Sequence, residues 1–335
     1  MNLKVFIISF LFLYSFLVFL KGIPAVDDIF EENDNCRLRL FSHLGMYDAT
    51  AKKFQHSLNT ANYDIGLFGN SRAVHVSASH LKNNQKRYFN FSIPGTSMRQ
   101  SVTFLEELAK EEKAPKIALI SLDRLEFQSY GYIYFPGVLK RLRQAINDLI
   151  WVWREYDKPY KRFVYVVTDH IISEWKHFKG IWNIDLLYSR LVFILPDYFS
   201  HVKGFEYSYL NDGSMSEKPL KSGNDQILEI SGQFKLMNDY LSRDLERLAK
   251  LNGKNLKVII YESPVNPASE KYLKENPVQY VLETRALFMK KCGELGLLCY
   301  PAPILYSEDT FWEDCCHAPA KLLGEYISSV LLENN

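Results

Sequence analysis

Tyr63-Asp-Ile-Gly-Leu-Phe-Gly-Asn-Ser-Arg-Ala73 is the stretch on which the reading of this chain turns. Ile65 to Phe68 is a short apolar run of the kind buried in a parallel sheet, and Gly69-Asn70 breaks it. Ala73 to Leu81 reads as a helix, so Ser71 falls at a strand–turn–helix junction. The free N–H groups of a helix N-terminus suit a developing negative charge. A serine there serves either as an ordinary N-cap or as an exposed acyl-transferring nucleophile. The choice depends on whether the rest of the chain supplies a base, an orienting acid and a second oxyanion donor.

Further strands and helices alternate outward from this stretch. Arg87 to Ile93, Lys116 to Leu122, Leu256 to Tyr261 and Leu297 to Tyr300 read as strands. Met98 to Glu112, Ser269 to Gly293 and Asp314 to Leu332 read as helices, the last with an apolar stripe of Ala320, Leu323, Ile327 and Val330. Strand–helix units imply an α/β domain with a mostly parallel sheet and helices on both faces. Residues 127–225 lack the alternation: they carry Tyr/Trp-rich helical segments, such as Leu139 to Tyr156, and a polar tract from Asn211 to Asn224. They read as a helical, aromatic-rich insertion, followed by a helix from Gln226 to Leu251.

The N-terminus sets the expected location. Val5 to Leu20 is an uncharged apolar run between Lys4 and Lys21. As a helix its sixteen residues span about 24 Å, and lysine snorkelling with Ile23 to Val26 lengthens the reach. Residues 1–26 therefore read as a transmembrane signal anchor, with a cleaved signal peptide as the alternative. Acids following the run place the tail inside and the domain outside the cytoplasm, in a bacterial periplasm or at the cell surface. Residues 27–61 read as a stalk with a short helix near Tyr47 to Leu58, and residues 62–333 as the α/β domain.

Forty basic residues against 39 acidic ones give a net charge of +1, which provides no electrostatic footprint for nucleic acid. Of the five cysteines, Cys292 and Cys299 are spaced to bridge a helix end to the next strand in an oxidising compartment, although spacing does not fix the connectivity. Cys315-Cys316-His317 has no second spaced pair of ligands, so no metal and no other cofactor is expected. The sequon Asn90-Phe91-Ser92 falls in a strand and is a weak glycosylation candidate.

In a parallel sheet the functional residues collect beyond the carboxyl ends of the strands. Four such ends carry Gly69-Asn70-Ser71-Arg72, Pro94-Gly95-Thr96-Ser97, Asp123-Arg124 and Glu262-Ser263-Pro264-Val265-Asn266. A fifth contribution is Asp314-Cys-Cys-His317, where an Asp three residues before a His can orient the imidazole beside one serine.

This set resembles the SGNH (GDSL-like) hydrolase superfamily, nearest to exported, membrane-anchored members linked to O-acylation of cell-surface polysaccharides. The resemblance covers roughly residues 60–125 and 255–333 and implies a flavodoxin-like three-layer α/β/α domain. It implies Ser71 as nucleophile, His317 as base, Asp314 as the acid that orients it, and the Gly95 N–H as an oxyanion donor. One position departs from the pattern. Where the family carries an Asn donor after the third strand, this chain reads Ser121-Leu122-Asp123, and an ionised Asp accepts rather than donates. Asn70 or Asn266 is then the candidate substitute donor, Arg72, Asp123 and Asn266 are candidate substrate-binding residues, and a structural ion pair of Asp123 with Arg124 is the alternative for Asp123.

The expectation is thus an exported serine acyl esterase or O-acyltransferase working through an acyl-enzyme. Its expected partners are an acylated polysaccharide or glycoconjugate, a membrane acyl-donor protein and, through the N-terminal helix, the membrane. The alternative is a catalytically inactive member that binds polysaccharide or scaffolds an envelope acylation complex.

Overall fold

The computed structural model describes residues 36–39, 50, 53–82, 86–123, 138–155, 164, 167, 171, 206–209, 212–215, 237–277, 279–303 and 317–333. The apolar run Val5 to Leu20 lies outside them, and among the described residues no helix is long and apolar enough to cross a membrane. The chain divides into two compact units, residues 1–29, 36–51 and 135–208 in one and 30–35, 52–134 and 209–335 in the other.

Seven strands are described: β1 (Cys36–Arg39), β2 (Ile65–Phe68), β3 (Tyr88–Asn90), β4 (Ile117–Leu122), β5 (Glu206–Tyr209), β6 (Lys257–Glu262) and β7 (Leu298–Tyr300). The helices are α1 (Met98–Lys110), α2 (Val138–Glu155), α3 (Met237–Leu251), α4 (Pro267–Glu275), α5 (Gln279–Glu294) and α6 (Ala320–Glu333). β1 pairs with β5 in a two-stranded sheet. The other five form one all-parallel sheet in the order β3-β2-β4-β6-β7, which makes this unit α/β.

That strand order positions the site. The chain steps from β2 outward to β3, then crosses back to β4 and continues away through β6 and β7. Successive connections diverge at β2 and β4, and such a switch point opens a crevice beyond the strand ends. The loops that carry Ser71 and Asp123 leave these two strands.

Alternation along the strands divides the core. Ile65 and Leu67, with Leu119, Ile259 and Tyr261, pack with Leu323, Ile327, Val330 and Leu331 of α6. Phe68 stacks on Phe91 at 4.6 Å, and Phe104 of α1 meets Phe91 edge-on at 5.4 Å. Each such buried side chain stabilises the fold by about 1.5–3 kcal/mol.

Two sequence expectations need correction. Ala73 to Leu81 is not an α-helix: residues 71–75 are turns and a single 3-10 turn spans Ala78–His80. The carbonyls that a helix would use are taken by distant donors. Asn90 Nδ2 donates to Ala73 O, Val74 O and Val76 O, the Met215 N–H to Val74 O, and the Tyr88 hydroxyl to Val76 O. Asn90 is fully buried in β3, in keeping with the weakness of its sequon as a glycosylation candidate.

The single helix expected over 269–293 is two, α4 and α5, because Pro277 follows the C-cap Asn276 and cannot continue the ladder. The helix expected near Tyr47 to Leu58 is described over residues 53–59, in the same compact unit as the five-stranded sheet. There the fully buried Lys53 ammonium donates to Asn90 O, Ser92 O and Gly213 O, each at 2.7 Å. Burial pulls the Lys53 pKa well below its usual value and Asp212 opposes this; three carbonyl acceptors also favour the charged form. Residues 212–215 pack on β3 through Asn90 N–H to Asp212 O at 2.7 Å.

Candidate active site

The turn after β2 is built by its own side chains. Asn70 Oδ1 accepts from the Arg72 N–H at 3.0 Å, and Asn70 O accepts from the Ala73 N–H at 3.1 Å. This is an Asx turn, which offers the backbone an alternative to helix. Gly69 is required by proximity: a Cβ there would stand 2.7 Å from Ser121 Cβ on β4 and 3.1 Å from Ala73 Cβ. Because Gly69 lets the turn lie flat against β4, Ser71 is held at the switch point.

His317 arrives from the far end of the sequence, three residues before α6. The packing of α6 explains how. Gly324 sits against the 3-10 turn so closely that an added Cβ would lie 2.6 Å from His80 Cβ and 2.7 Å from His80 O. The Lys82 N–H also donates to Ser328 Oγ at 2.8 Å. With α6 docked on the segment that continues from Ser71, His317 Nε2 lies 2.9 Å from Ser71 Oγ, and both residues are partly buried. That distance lies within hydrogen-bond reach for a nucleophile and its base. For His317 to take the Ser71 proton, Nε2 must be the unprotonated ring nitrogen and Nδ1 must carry the hydrogen. Asp314, expected to orient Nδ1, lies outside the described residues.

Asp123 occupies a different place from an oxyanion donor. Its Oδ2 accepts from Arg72 Nε at 2.8 Å and from Asn70 Nδ2 at 3.1 Å. The side chains of Arg72 and Asp123 are only 3% and 9% exposed, so the pair is a buried one. One carboxylate thus ties down the residues on both sides of Ser71. Asn70 uses its carbonyl oxygen within the turn and one amide hydrogen on Asp123. Arg72 Nη1 and Nη2 are buried and find no hydrogen-bond partner among the described residues.

Gly95 has φ +70°, a left-handed conformation natural to glycine, in the turn after β3. This turn is joined to the serine turn through Gly69 O, which accepts from the Ile93 N–H at 3.0 Å and from Thr96 Oγ1 at 3.2 Å. Asn266 is the N-cap of α4, its Oδ1 accepting from the Ser269 N–H at 2.7 Å. The structure therefore joins Ser71 to His317 and Asn70 to Asp123 to Arg72, ties the Gly95 turn to the serine turn, and gives Asn266 a capping role.

Sequence reasoning assigned no structural role to Asn90, Thr96 and Gly324. Asn90 carried a usable signal, a polar residue at the centre of the apolar run Tyr-Phe-Asn-Phe, because a buried amide demands partners. Thr96 and Gly324 carried none, since their roles depend on contacts with Gly69 and His80.

Comparison of the chain with models of known protein families returned no match, and comparison with curated proteins returned none either.

Proposed function

We propose that this protein is an exported serine acyl esterase or O-acyltransferase that acts on a cell-envelope polysaccharide or glycoconjugate. The observation that carries the reading is the 2.9 Å contact between His317 Nε2 and Ser71 Oγ at the switch point of a parallel sheet. Ser71 Oγ attacks an acyl carbonyl while His317 accepts its proton. His317 then protonates the departing alkoxide, leaving an ester on Ser71. Water or a sugar hydroxyl, deprotonated by the same imidazole, releases the acyl group. Asp314 orients His317, and backbone N–H groups of Ser71 and Gly95 receive the oxyanion.

Several features support this reading. Counted within the five-stranded sheet, the strand order is 2-1-3-4-5, as in flavodoxin-like domains, and packed helices suit a three-layer form. The disulfide between Cys292 of α5 and Cys299 of β7 suits an oxidising, extracytoplasmic compartment. The polymer acceptor and the membrane acyl donor rest on the resemblance alone.

A second reading, a non-catalytic binding or scaffolding subunit, draws on Asp123. Its carboxylate is engaged with Arg72 and cannot supply the family's Asn donor. Hydrolysis of short-chain p-nitrophenyl esters separates the two. The catalytic reading expects turnover by the parent protein that falls to background in Ser71→Ala and His317→Ala. Equal turnover in the parent and Ser71→Ala, or none in any of them, overturns it.

A further inference from the structure

α2 carries an exposed face with an unusual composition. Ile146, Ile150 and Trp153 are 47%, 44% and 58% exposed, and at 100° per residue they fall within about 60° of one another on the helix. The exposed described side chains of α2 are Arg143, Ile146, Asn147, Ile150, Trp153 and Arg154. None is acidic. Asp148 is completely buried on another side of the helix. Arg143 and Arg154 lie along one flank of the apolar stripe, at about 60–80° from Ile146.

An apolar stripe with a tryptophan, bordered by arginines and free of acids, has the pattern of a helix lying in a bilayer interface. The tryptophan suits the boundary between headgroups and acyl chains, and the arginines suit lipid phosphates. We propose that this face of α2 seats on the surface of an anionic lipid bilayer, as a second membrane contact besides the Val5 to Leu20 run. Two features favour lipid over a protein partner. Among the described residues no carboxylate pairs with Arg143 or Arg154, and the chain carries an apolar run expected to hold it beside a membrane. This contact is independent of the proposed acyl chemistry.

The test uses the full chain in liposomes whose lipids are brominated along the acyl chains, with tryptophan emission as the readout. The Val5 to Leu20 run contains no tryptophan, so its insertion is silent. The expected result is a quenched component that disappears in Trp153→Phe and grows when anionic phosphatidylglycerol replaces neutral lipid. The paired variant Arg143→Gln/Arg154→Gln should lose that lipid preference, about fivefold for each arginine. Equal quenching in parent and Trp153→Phe overturns the proposal. So does a Trp153 signal shielded from aqueous acrylamide but insensitive to brominated lipid, which would identify a protein surface or a second copy of the chain. Melting temperatures of the variants matching the parent establish that the helix is intact.

Discussion

Replacing Asp123 by asparagine gives the chain the residue that the resembled family carries, and the structure opposes the obvious expectation. If position 123 were simply a lost oxyanion donor, Asp123→Asn should restore it and raise esterase turnover by up to a hundred- to a thousandfold. In the structure Asp123 Oδ2 is the carboxylate partner of Arg72 Nε at 2.8 Å and the acceptor for Asn70 Nδ2 at 3.1 Å, in a buried setting. Asp123→Asn leaves the Arg72 guanidinium as a buried cation with no neutralising charge. Breaking such a pair from one side costs about 3–5 kcal/mol, a large part of a typical total of 5–15 kcal/mol. The melting temperature should fall by roughly 10 °C. Urea denaturation measures the loss directly, and a double-mutant cycle with Arg72→Met assigns it. Removing both charges should cost less than removing the carboxylate alone. Unchanged stability together with faster ester hydrolysis would refute the assignment and return Asp123 to the oxyanion site.

Gly324→Ala tests how His317 is delivered. The new Cβ would meet His80 Cβ at 2.6 Å, and restoring an ordinary contact of about 3.5 Å moves α6 by about 0.9 Å. If His317 moves with α6, its 2.9 Å contact with Ser71 opens to about 3.8 Å, and the account expects acylation about tenfold to a hundredfold slower, measured with p-nitrophenyl acetate. His56 gives a pH prediction. Burial lowers its pKa from the usual 6.5, so the folded state binds its proton less readily than the unfolded chain. The contribution is neutral above that value and becomes destabilising as pH falls through it, so urea midpoints should drop from pH 7 to 5, less in His56→Phe.

The sheet was legible in the sequence because its strands are short apolar runs that read alike in any context. Ile117–Leu122 and Lys257–Glu262 have bounds within one residue of the expected runs. The candidate pair was legible for another reason. Ser71 and His317 both lie beside elements whose packing faces follow local periodicity, and the α6 stripe of Leu323, Ile327 and Val330 fixes where that helix must dock. The turns after Ser71 were not legible, because the donors that replace helical bonding, Asn90, Tyr88 and Met215, lie 12 or more positions away. The partner of Asp123 was hidden for the same reason. The role of Asp123 depends on Arg72, a neighbour of Ser71 that is close only once β2 and β4 pair.

Covalent labelling gives the most direct test of the central claim, that Ser71 is a nucleophile activated by His317. The full chain is treated with a fluorophosphonate, digested, and the adduct located by peptide mass spectrometry. The account predicts one adduct, on the peptide containing Ser71, formed at least a hundredfold more slowly in His317→Gln. An adduct on another residue, no adduct on the parent protein, or labelling of Ser71 at the same rate without His317 would contradict it.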